Sequence, residues 1–361
     1  MKQKVLVAMS GGVDSSVAAL IMKKKGYEVI GAFMKNWSDS KNEFGECNWK
    51  DERGYAMKIA AILNVPLITL DFEKEYRRDV IEKMFKDYKK GITPNPDVDC
   101  NQKVKFPLLI KAAKRLGAEF VVTGHYSRIE KKNGKYELLR GKDEMKDQSY
   151  FLYRINQNEL KHLLLPIGTY TKTQIRNIAE KNNFPNSDKK STVGICFVGK
   201  VNLKEFLQKK IKPKEGKILD PEGNIIGKHD GIYYYTIGQR IGMRFGIDIE
   251  KTADENNNLR RWYVARKDAK KNIIIAAPEN HKLLYRKEMV IKNPHWINSK
   301  PREKIKVLAR IRQVGELLPA TLSYNKKFKV TLSKPITGVS EGQAIVLYSG
   351  KKVLGGGEIR F

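Results

Sequence analysis

The chain begins with an apolar run, Lys4-Val5-Leu6-Val7-Ala8-Met9. Ser10-Gly11-Gly12-Val13-Asp14-Ser15-Ser16 follows, and then a second apolar run, Val17-Ala18-Ala19-Leu20-Ile21-Met22. That order predicts a buried strand, a tight glycine turn and a helix. Residues 28–34 and 65–70 read as further strands. A polar loop, 35–49, and a helical pattern, 51–63, lie between them, with Tyr55, Ile59, Ile62 and Leu63 on one side. Residues 73–88 read as a charged amphipathic helix, 103–116 as another helix and 120–123 as a short strand. Alternation of this kind predicts a parallel sheet with helices on both faces. Ligands of such sheets sit beyond the carboxyl ends of the strands. The glycine turn, Met34 and the Gly124-His125 pair all fall at such ends. Thr171 is the expected N-cap of a helix over 171–183, with Ile175, Ile178 and Ala179 on its apolar side.

From about Val201 the pattern changes. A short helix, 202–210, is followed by Pro213, Gly216, Pro221, Gly223, Gly227 and Gly231, with short apolar runs between. Residues 254–261 read as a solvated excursion. From about Glu288 the runs become β-like: 305–311, 320–324, 327–332, 344–348, and Val353 to Ile359 through Gly355-Gly356-Gly357. Short strands at this spacing predict a small barrel. The expectation is an α/β chain: a Rossmann-like parallel sheet in 1–200, a small central domain in 201–285 and a C-terminal β-barrel in 286–361.

Composition narrows the function. At 361 residues, 41% hydrophobic and 30% charged, this is a globular chain with sizeable cores. No apolar run is long enough to span a membrane. Met1-Lys2-Gln3-Lys4 leads straight into the first strand, so the expected location is cytoplasmic, with no cleaved leader. Lys plus Arg is 70 against 40 Asp plus Glu, a net charge of +30. That excess points to a polyanion partner, RNA or DNA rather than an anionic membrane, although a lysine-rich background contributes to it. Three cysteines, Cys47, Cys100 and Cys196, are widely spaced with no Cys-x-x-Cys pair. The spacing argues against a zinc ribbon or a disulfide framework, and no metal site is read.

Three stretches carry chemistry. In the first, Gly11 and Gly12 let the backbone approach a phosphate, and the N–H groups of the following helix would face it. Ser10, Ser15 and Ser16 add hydroxyl donors. No Gly-Lys-Ser/Thr follows, so this is not a Walker loop, and the dinucleotide fingerprint is also absent. It resembles the pyrophosphate loop of the adenine-nucleotide α-hydrolases, which by that resemblance cleave ATP to AMP and pyrophosphate.

The second stretch is Thr93-Pro94-Asn95-Pro96-Asp97-Val98-Asp99-Cys100-Asn101. Its prolines are expected to hold an extended loop. That loop would present Asp97 and Cys100 before a helix starting near Lys103. The helix N-terminus is expected to lower the Cys100 pKa, opposed in part by the nearby carboxylates. The third stretch, Gly194-Ile195-Cys196-Phe197-Val198-Gly199, sets a cysteine among apolar residues, and alone it reads equally as a buried strand. Together, an ATP-cleaving loop and two placed cysteines point to activation of an oxygen followed by sulfur transfer.

With these stretches in order, the chain resembles the bacterial tRNA-specific 2-thiouridylases end to end. The matching strings are Ala8 to Ser16, Met34-Lys35-Asn36-Trp37, Thr93 to Asp97 with Cys100-Asn101, and Thr123-Gly124-His125-Tyr126. Further matches are Lys146-Asp147-Gln148-Ser149-Tyr150-Phe151-Leu152, Gly194-Ile195-Cys196-Phe197, Thr236-Ile237-Gly238-Gln239-Arg240 and the terminal glycines. The resemblance implies ATP-dependent 2-thiolation of a tRNA wobble uridine. The uracil 2-oxygen is adenylated, with Mg2+ neutralising pyrophosphate charge, and persulfide sulfur displaces AMP. It implies that Ala8, Met9, Ser10, Gly11, Gly12, Val13, Asp14 and Ser15 bind the ATP phosphates, with Met34 and Gly124 against the adenosine. Asn95, Pro96 and Asp97 would meet the target base, Asp97 as acid or base. Cys196 would carry the persulfide, and Cys100 would resolve it through a transient Cys100–Cys196 disulfide. His125, Lys146, Asp147, Gln148, Arg310, Ile311, Arg312 and Gln343 would touch tRNA. Arg310 and Arg312 are expected to alternate on one strand and face one side. A persulfide-donating protein, a cysteine desulfurase or a relay, is the implied second partner.

Two departures stand out. Ser191-Thr192-Val193-Gly194-Ile195-Cys196 replaces the family's usual Asp-Ser-Thr-Gly-Ile-Cys, and Ile241-Gly242-Met243-Arg244-Phe245 replaces its Lys-Gly-Leu and further glycines. Alternatives on sequence are another enzyme on the same loop, such as an amidotransferase-type synthetase or a lysidine-forming ligase, and a non-catalytic RNA-binding protein. An iron–sulfur cluster on these cysteines is an alternative, less favoured chemistry. Cys47 matches no role and reads as structural or incidental.

Overall fold

The computed structural model describes residues 2–39, 48–189, 194, 196, 198, 202–243, 247, 249 and 260–361. Cys47 and most of the expected excursion at 254–261 lie outside them. Seven strands occupy the first part of the chain: β1 (Lys4–Ala8), β2 (Glu28–Lys35), β3 (Leu67–Asp71), β4 (Phe120–Val122), β5 (Ser127–Lys132), β6 (Lys135–Arg140) and β7 (Leu163–Leu164). Five of them form a wholly parallel sheet in the order β3-β2-β1-β4-β7. Val5, Leu6 and Val7 are consecutive and fully buried. Helices cover both faces of the sheet, so β1 has no polar side and reads as a continuous apolar run. The helix Val13–Lys24 follows β1 directly and buries Val17, Ala18, Ala19 and Leu20 against one face.

The helical segments differ from expectation in two places. The 73–89 helix is interrupted by a π turn at Arg77–Ile81. The second helix starts at Pro96, not near Lys103, and runs to Arg115 through a π segment at Cys100–Lys105. Pro96 occupies the first helical position, where its missing N–H costs nothing and its fixed φ suits the helix. Asn95 caps that helix, its Oδ1 accepting from the Val98 N–H at 3.3 Å. Pro96 therefore starts a helix, while Pro94 lies in the short non-helical segment before it.

The central part is a five-stranded sheet of β8 (Gly216–Leu219), β9 (Ile225–His229), β10 (Arg240–Ile241), β11 (Trp262–Asp268) and β12 (Ile273–Pro278), in the order β10-β11-β12-β8-β9. The last part has six strands: β13 (Tyr285–Trp296), β14 (Ile305–Arg310), β15 (Leu318–Asn325), β16 (Lys327–Thr337), β17 (Ala344–Ser349) and β18 (Lys352–Arg360). They run β13-β16-β15-β14-β17-β18, and β18 pairs back onto β13, closing the barrel. Closure removes the free edges that an open sheet of this length would leave. Among the described residues no helix is long and apolar enough to cross a membrane.

The three parts share their cores. The β5–β6 hairpin, with Asn133 and Gly134 both at positive φ in its turn, pairs through Leu139 with Lys352 of β18. It extends the barrel wall from within the nucleotide-loop region. Leu6, Phe106 and Tyr150 share one apolar cluster with Ala344, Val346 and Tyr348 of the barrel. Tyr76, Phe85 and Cys100 share another with Trp262 and Ile274 of the central sheet.

One buried ion pair also crosses these parts. Asp147 is 1% exposed, and its Oδ2 lies 2.8 Å from Arg310 Nη1, itself on a 3%-exposed residue. The same carboxylate accepts from the Gly141 N–H at 2.9 Å, the Ser149 N–H at 3.2 Å and the Ser149 hydroxyl at 3.0 Å. The Gln313 side-chain amide donates to the Asp147 carbonyl. A buried pair adds little net stability, because desolvation offsets attraction, but breaking one strands a charge. Asp147→Ala is therefore expected to lower unfolding stability by about 3–5 kcal/mol, measured by urea denaturation. Its exposed neighbour Lys146→Ala should stay within about 0.5 kcal/mol. A loss under about 1 kcal/mol for Asp147→Ala would show that the pair does not hold these parts together.

Candidate active site

The glycine turn sits at the carboxyl end of β1. Gly12 is the N-cap of Val13–Lys24, and no side chain caps that helix end. The first N–H groups and the positive end of the dipole are thus left for an anion. Gly11 has φ +77°, and a Cβ there would lie 2.1 Å from the Glu52 carbonyl oxygen. Only glycine fits this position. The hydroxyls are not arranged as the sequence led one to expect. Ser15 and Ser16 both donate to the Gly12 carbonyl, at 2.9 and 3.0 Å, and Ser15 Oγ accepts from the Ser10 N–H at 3.1 Å. They hold the turn, which leaves exposed Ser10 as the hydroxyl facing outward.

Residues outside the motif complete the turn. Asn186 is buried, and its Nδ2 donates to the Gly11 carbonyl at 2.9 Å and to Ser16 Oγ at 3.0 Å. Asp14 Oδ1 takes Lys172 Nζ and the Tyr126 hydroxyl, both at 2.7 Å. Asp14 would otherwise repel a phosphate, and Lys172 brings a cation to the same place. Neither Asn186 nor Lys172 stands out by spacing. The Thr171 capping box, which places Lys172 at the helix start, was the one available signal.

The loop Thr123–Tyr126, beyond β4, touches the turn and reaches Lys105, which lies beside the cysteines. A Cβ on Gly124 would lie 2.7 Å from Asp14 C and Ser15 N, so this backbone rests directly on the start of the helix. Met34, at the end of β2, is buried in the neighbouring core. His125 is 9% exposed; its Nδ1 lies 2.6 Å from Thr123 Oγ1 and its Nε2 3.4 Å from Lys105 Nζ. An ammonium can only donate, so Nε2 accepts and Nδ1 carries the proton toward Thr123. Burial, helped by the Lys105 charge, pushes the His125 pKa well below its usual value, and the ring is neutral.

Cys100 and Cys196, 96 residues apart in sequence, meet here as free thiols joined by a hydrogen bond. Cys100 is wholly buried, and Cys196 lies in a turn, not a strand. The expectation for Cys100 is overturned. Its pKa is raised well above the ordinary value, chiefly because its thiol hydrogen-bonds to Cys196 and also because it is buried. The helix-dipole argument fails because Cys100 lies past the first turn, against an apolar core. The lowered thiol is Cys196, through the Cys100 hydrogen bond and then Lys105, with burial and Asp97 opposing. Burial raises the Asp97 pKa, against the Cys196 N–H, which donates to Asp97 Oδ1 at 2.9 Å, and against Lys105. The Tyr76 hydroxyl donates to the Cys196 carbonyl oxygen. Residues 191–193, 195 and 197, part of the unusual segment before and after Cys196, lie outside the described set.

The remaining expected contacts divide. Lys146 and Arg312 are exposed. Asp147, Arg310 and Ile311 are buried, and the first two bind each other. β14 ends at Arg310, so Arg310 and Arg312 do not share a strand face. Gln148 Oε1 accepts from the Tyr126 N–H at 3.0 Å, and Gln343 Nε2 donates to the Thr93 and Pro94 carbonyls at 3.2 and 2.7 Å. Both glutamines position loops of the site. Among the described residues no three His, Cys, Asp or Glu side chains converge as metal ligands.

The close approach of Gly11 gives a direct test. Gly11→Ala is expected to abolish ATP binding in titration calorimetry and to cost about 1–3 kcal/mol through its strained φ. Gly54→Ala, which meets no atom within 4 Å in its helix, should bind ATP normally and gain up to about 1 kcal/mol. Normal ATP binding by Gly11→Ala would remove the turn from the site.

Comparison with known proteins places this geometry. Residues 3–200 match the tRNA methyl transferase HUP domain model. Residues 204–278 match the tRNA methyl transferase PRC-barrel domain model, and 286–359 the aminomethyltransferase beta-barrel domain model. The chain is 41% identical over 360 residues to tRNA-specific 2-thiouridylase MnmA of Ruthia magnifica subsp. Calyptogena magnifica, covering 99% of this chain and 97% of that one. It is 42% identical to the protein of the same name from Coxiella burnetii (strain Dugway 5J108-111), covering 99% and 98%. It is 39% identical to that from Listeria monocytogenes serovar 1/2a, covering 99% and 94%. With likeness of this extent over the whole chain, from the glycine turn to the closed barrel, the chain belongs to the tRNA-specific 2-thiouridylase family.

Proposed function

We propose that this protein is a tRNA-uridine 2-sulfurtransferase of the cytoplasm. The observation that carries the reading is the pairing of Cys100 and Cys196. One thiol keeps its proton, its partner is biased toward thiolate, and both lie beside an ammonium and a carboxyl. Contacts through His125 and Gly124 connect this pair to the phosphate turn.

In this reading the turn, with Lys172 beside it, holds the ATP phosphates, and Mg2+ accompanies them. The uracil 2-oxygen attacks the α-phosphorus, and pyrophosphate leaves. Cys196 thiolate has meanwhile taken the outer sulfur of a donor protein's persulfide, and the donor leaves as its thiolate. The outer sulfur on Cys196 attacks C2, and AMP leaves with the electrons of the C2–O bond. Cys100, deprotonated, then attacks Cys196 Sγ. The bond from Cys196 to the outer sulfur breaks, and its electrons form the C2 thiocarbonyl as N3 regains its proton. The cysteines end as a disulfide, which an external dithiol must reduce. Asp97, with its raised pKa, is the group placed to move these protons. Exposed Lys146 and Arg312 meet the tRNA backbone, while Asp147 and Arg310 hold their loops in place. The target base must leave its stack, as in an anticodon loop.

Wild-type protein incubated with tRNA, ATP and a persulfide source is expected to yield 2-thiouridine in nucleoside mass spectra. Cys196→Ser and Cys100→Ser should each lower turnover on the order of a thousandfold or more. Asp97→Asn should lower it on the order of a hundredfold or more. Unaltered turnover in Cys196→Ser would refute the mechanism.

A further inference from the structure

Lys105 has no part in the chemistry outlined above, yet it stands at its centre. It closes the π segment that begins with Cys100, so one irregular turn carries both a reacting sulfur and a cation. Such turns recur at functional sites because they aim side chains that a regular helix would disperse. Lys105 hydrogen-bonds Cys196 and meets His125 Nε2 at 3.4 Å. Among the described residues, the groups facing it include Cys196, Cys100, Asp97 and His125, and Tyr76 faces the sulfurs from the 73–89 helix. Of these, His125 is neutral and Tyr76 keeps its proton, so neither supplies positive charge. The nearby Lys83 lies 2.9 Å from Asp99 and is engaged there.

We propose that the Lys105 ammonium is the shared counter-charge of the two sulfurs, stabilising negative charge first on Cys196 and then on Cys100. This rests on the sulfur-relay reading and assigns it a further residue. In the resting enzyme Cys100 helps Cys196 by donating a hydrogen bond. That help ends when Cys100 must itself become the thiolate. A buried thiolate with no positive partner is costly, and among the described residues Lys105 is the cation that acts on both sulfurs. Burial opposes its charge, but Cys196, Cys100 and Asp97 outweigh burial and hold the ammonium above its ordinary pKa. It therefore stays protonated while the thiols exchange charge. His125 accepts from the ammonium and sets its direction, which also gives that buried histidine a positioning role.

The test is the pH dependence of alkylation, read by peptide mass spectrometry at Cys196 with ATP, tRNA and sulfur donor all absent. The midpoint is the readout, since intrinsic thiolate reactivity changes with pKa. Cys100→Ala removes the hydrogen bond, and its Cys196 midpoint is the reference. Adding Lys105→Met should raise it by about one pH unit, a roughly tenfold smaller thiolate fraction at neutral pH. Lys105→Arg should restore it, and Lys103→Met, an exposed lysine two positions away, should not move it. An unmoved midpoint in Lys105→Met would overturn the proposal. So would a Lys105→Arg midpoint as high as that of Lys105→Met, because arginine keeps the positive charge. The sulfur-relay reading fails separately, by 2-thiouridine formation without Cys196.

Discussion

The site depends on the contact between Gly124 and the first turn of the helix after the glycine loop. The approach is so close that no β-carbon could be inserted. Each of four consecutive residues in that loop then makes a contact of its own. Thr123 orients the His125 ring, Gly124 rests on Asp14 and Ser15, His125 accepts from Lys105, and Tyr126 reaches Asp14 and Gln148. If the loop moved, the glycine turn and the cysteine pair would lose their common reference. The parallel sheet makes this possible by delivering β1 and β4 as neighbours that end at the same edge.

Two clusters of buried charge among the described residues are answered by their neighbours. Asp147 and Arg310 answer each other across the junction of the hairpin loop and the barrel. Lys105 is answered by two sulfurs and a carboxyl. The two arrangements serve different ends. The Asp147 carboxylate is held by several hydrogen bonds and fixes a junction. The Lys105 cluster has groups that can exchange protons, with Asp97 raised, Cys100 raised and Cys196 lowered. Apolar packing supplies the bulk of stability, at about 1.5–3 kcal/mol for each large buried side chain, and it leaves these polar clusters free to be specific.

Much of the architecture was legible in the sequence because strand and helix periods differ so plainly along it. The β1 run, the Thr171 cap and the barrel strands all follow from local pattern. Long-range consequences were not legible. The β5–β6 hairpin carries an Asn-Gly turn signal, but nothing local says that it joins the barrel wall. The Cys100 pKa runs opposite to the sequence expectation, because proximity to a helix start is local and the Cys196 hydrogen bond and burial against the central sheet are not. Asp147 and Arg310 look like RNA-binding charges in sequence, since a buried pair 163 residues apart has no local signature. Lys105 and Lys172 escaped notice for the same reason: lysines are abundant here, and only contact distinguishes these two.

The central claim is that sulfur passes through Cys196 on its way to tRNA. It is tested most directly by charging the protein with an isotopically heavy persulfide and mapping peptides by mass before and after tRNA and ATP are added. The account predicts one heavy sulfur on the Cys196 peptide beforehand. Afterwards, that sulfur should be in the nucleoside and a disulfide should link the Cys100 and Cys196 peptides. Heavy sulfur reaching the tRNA with neither the Cys196 adduct nor the disulfide at any time would contradict it.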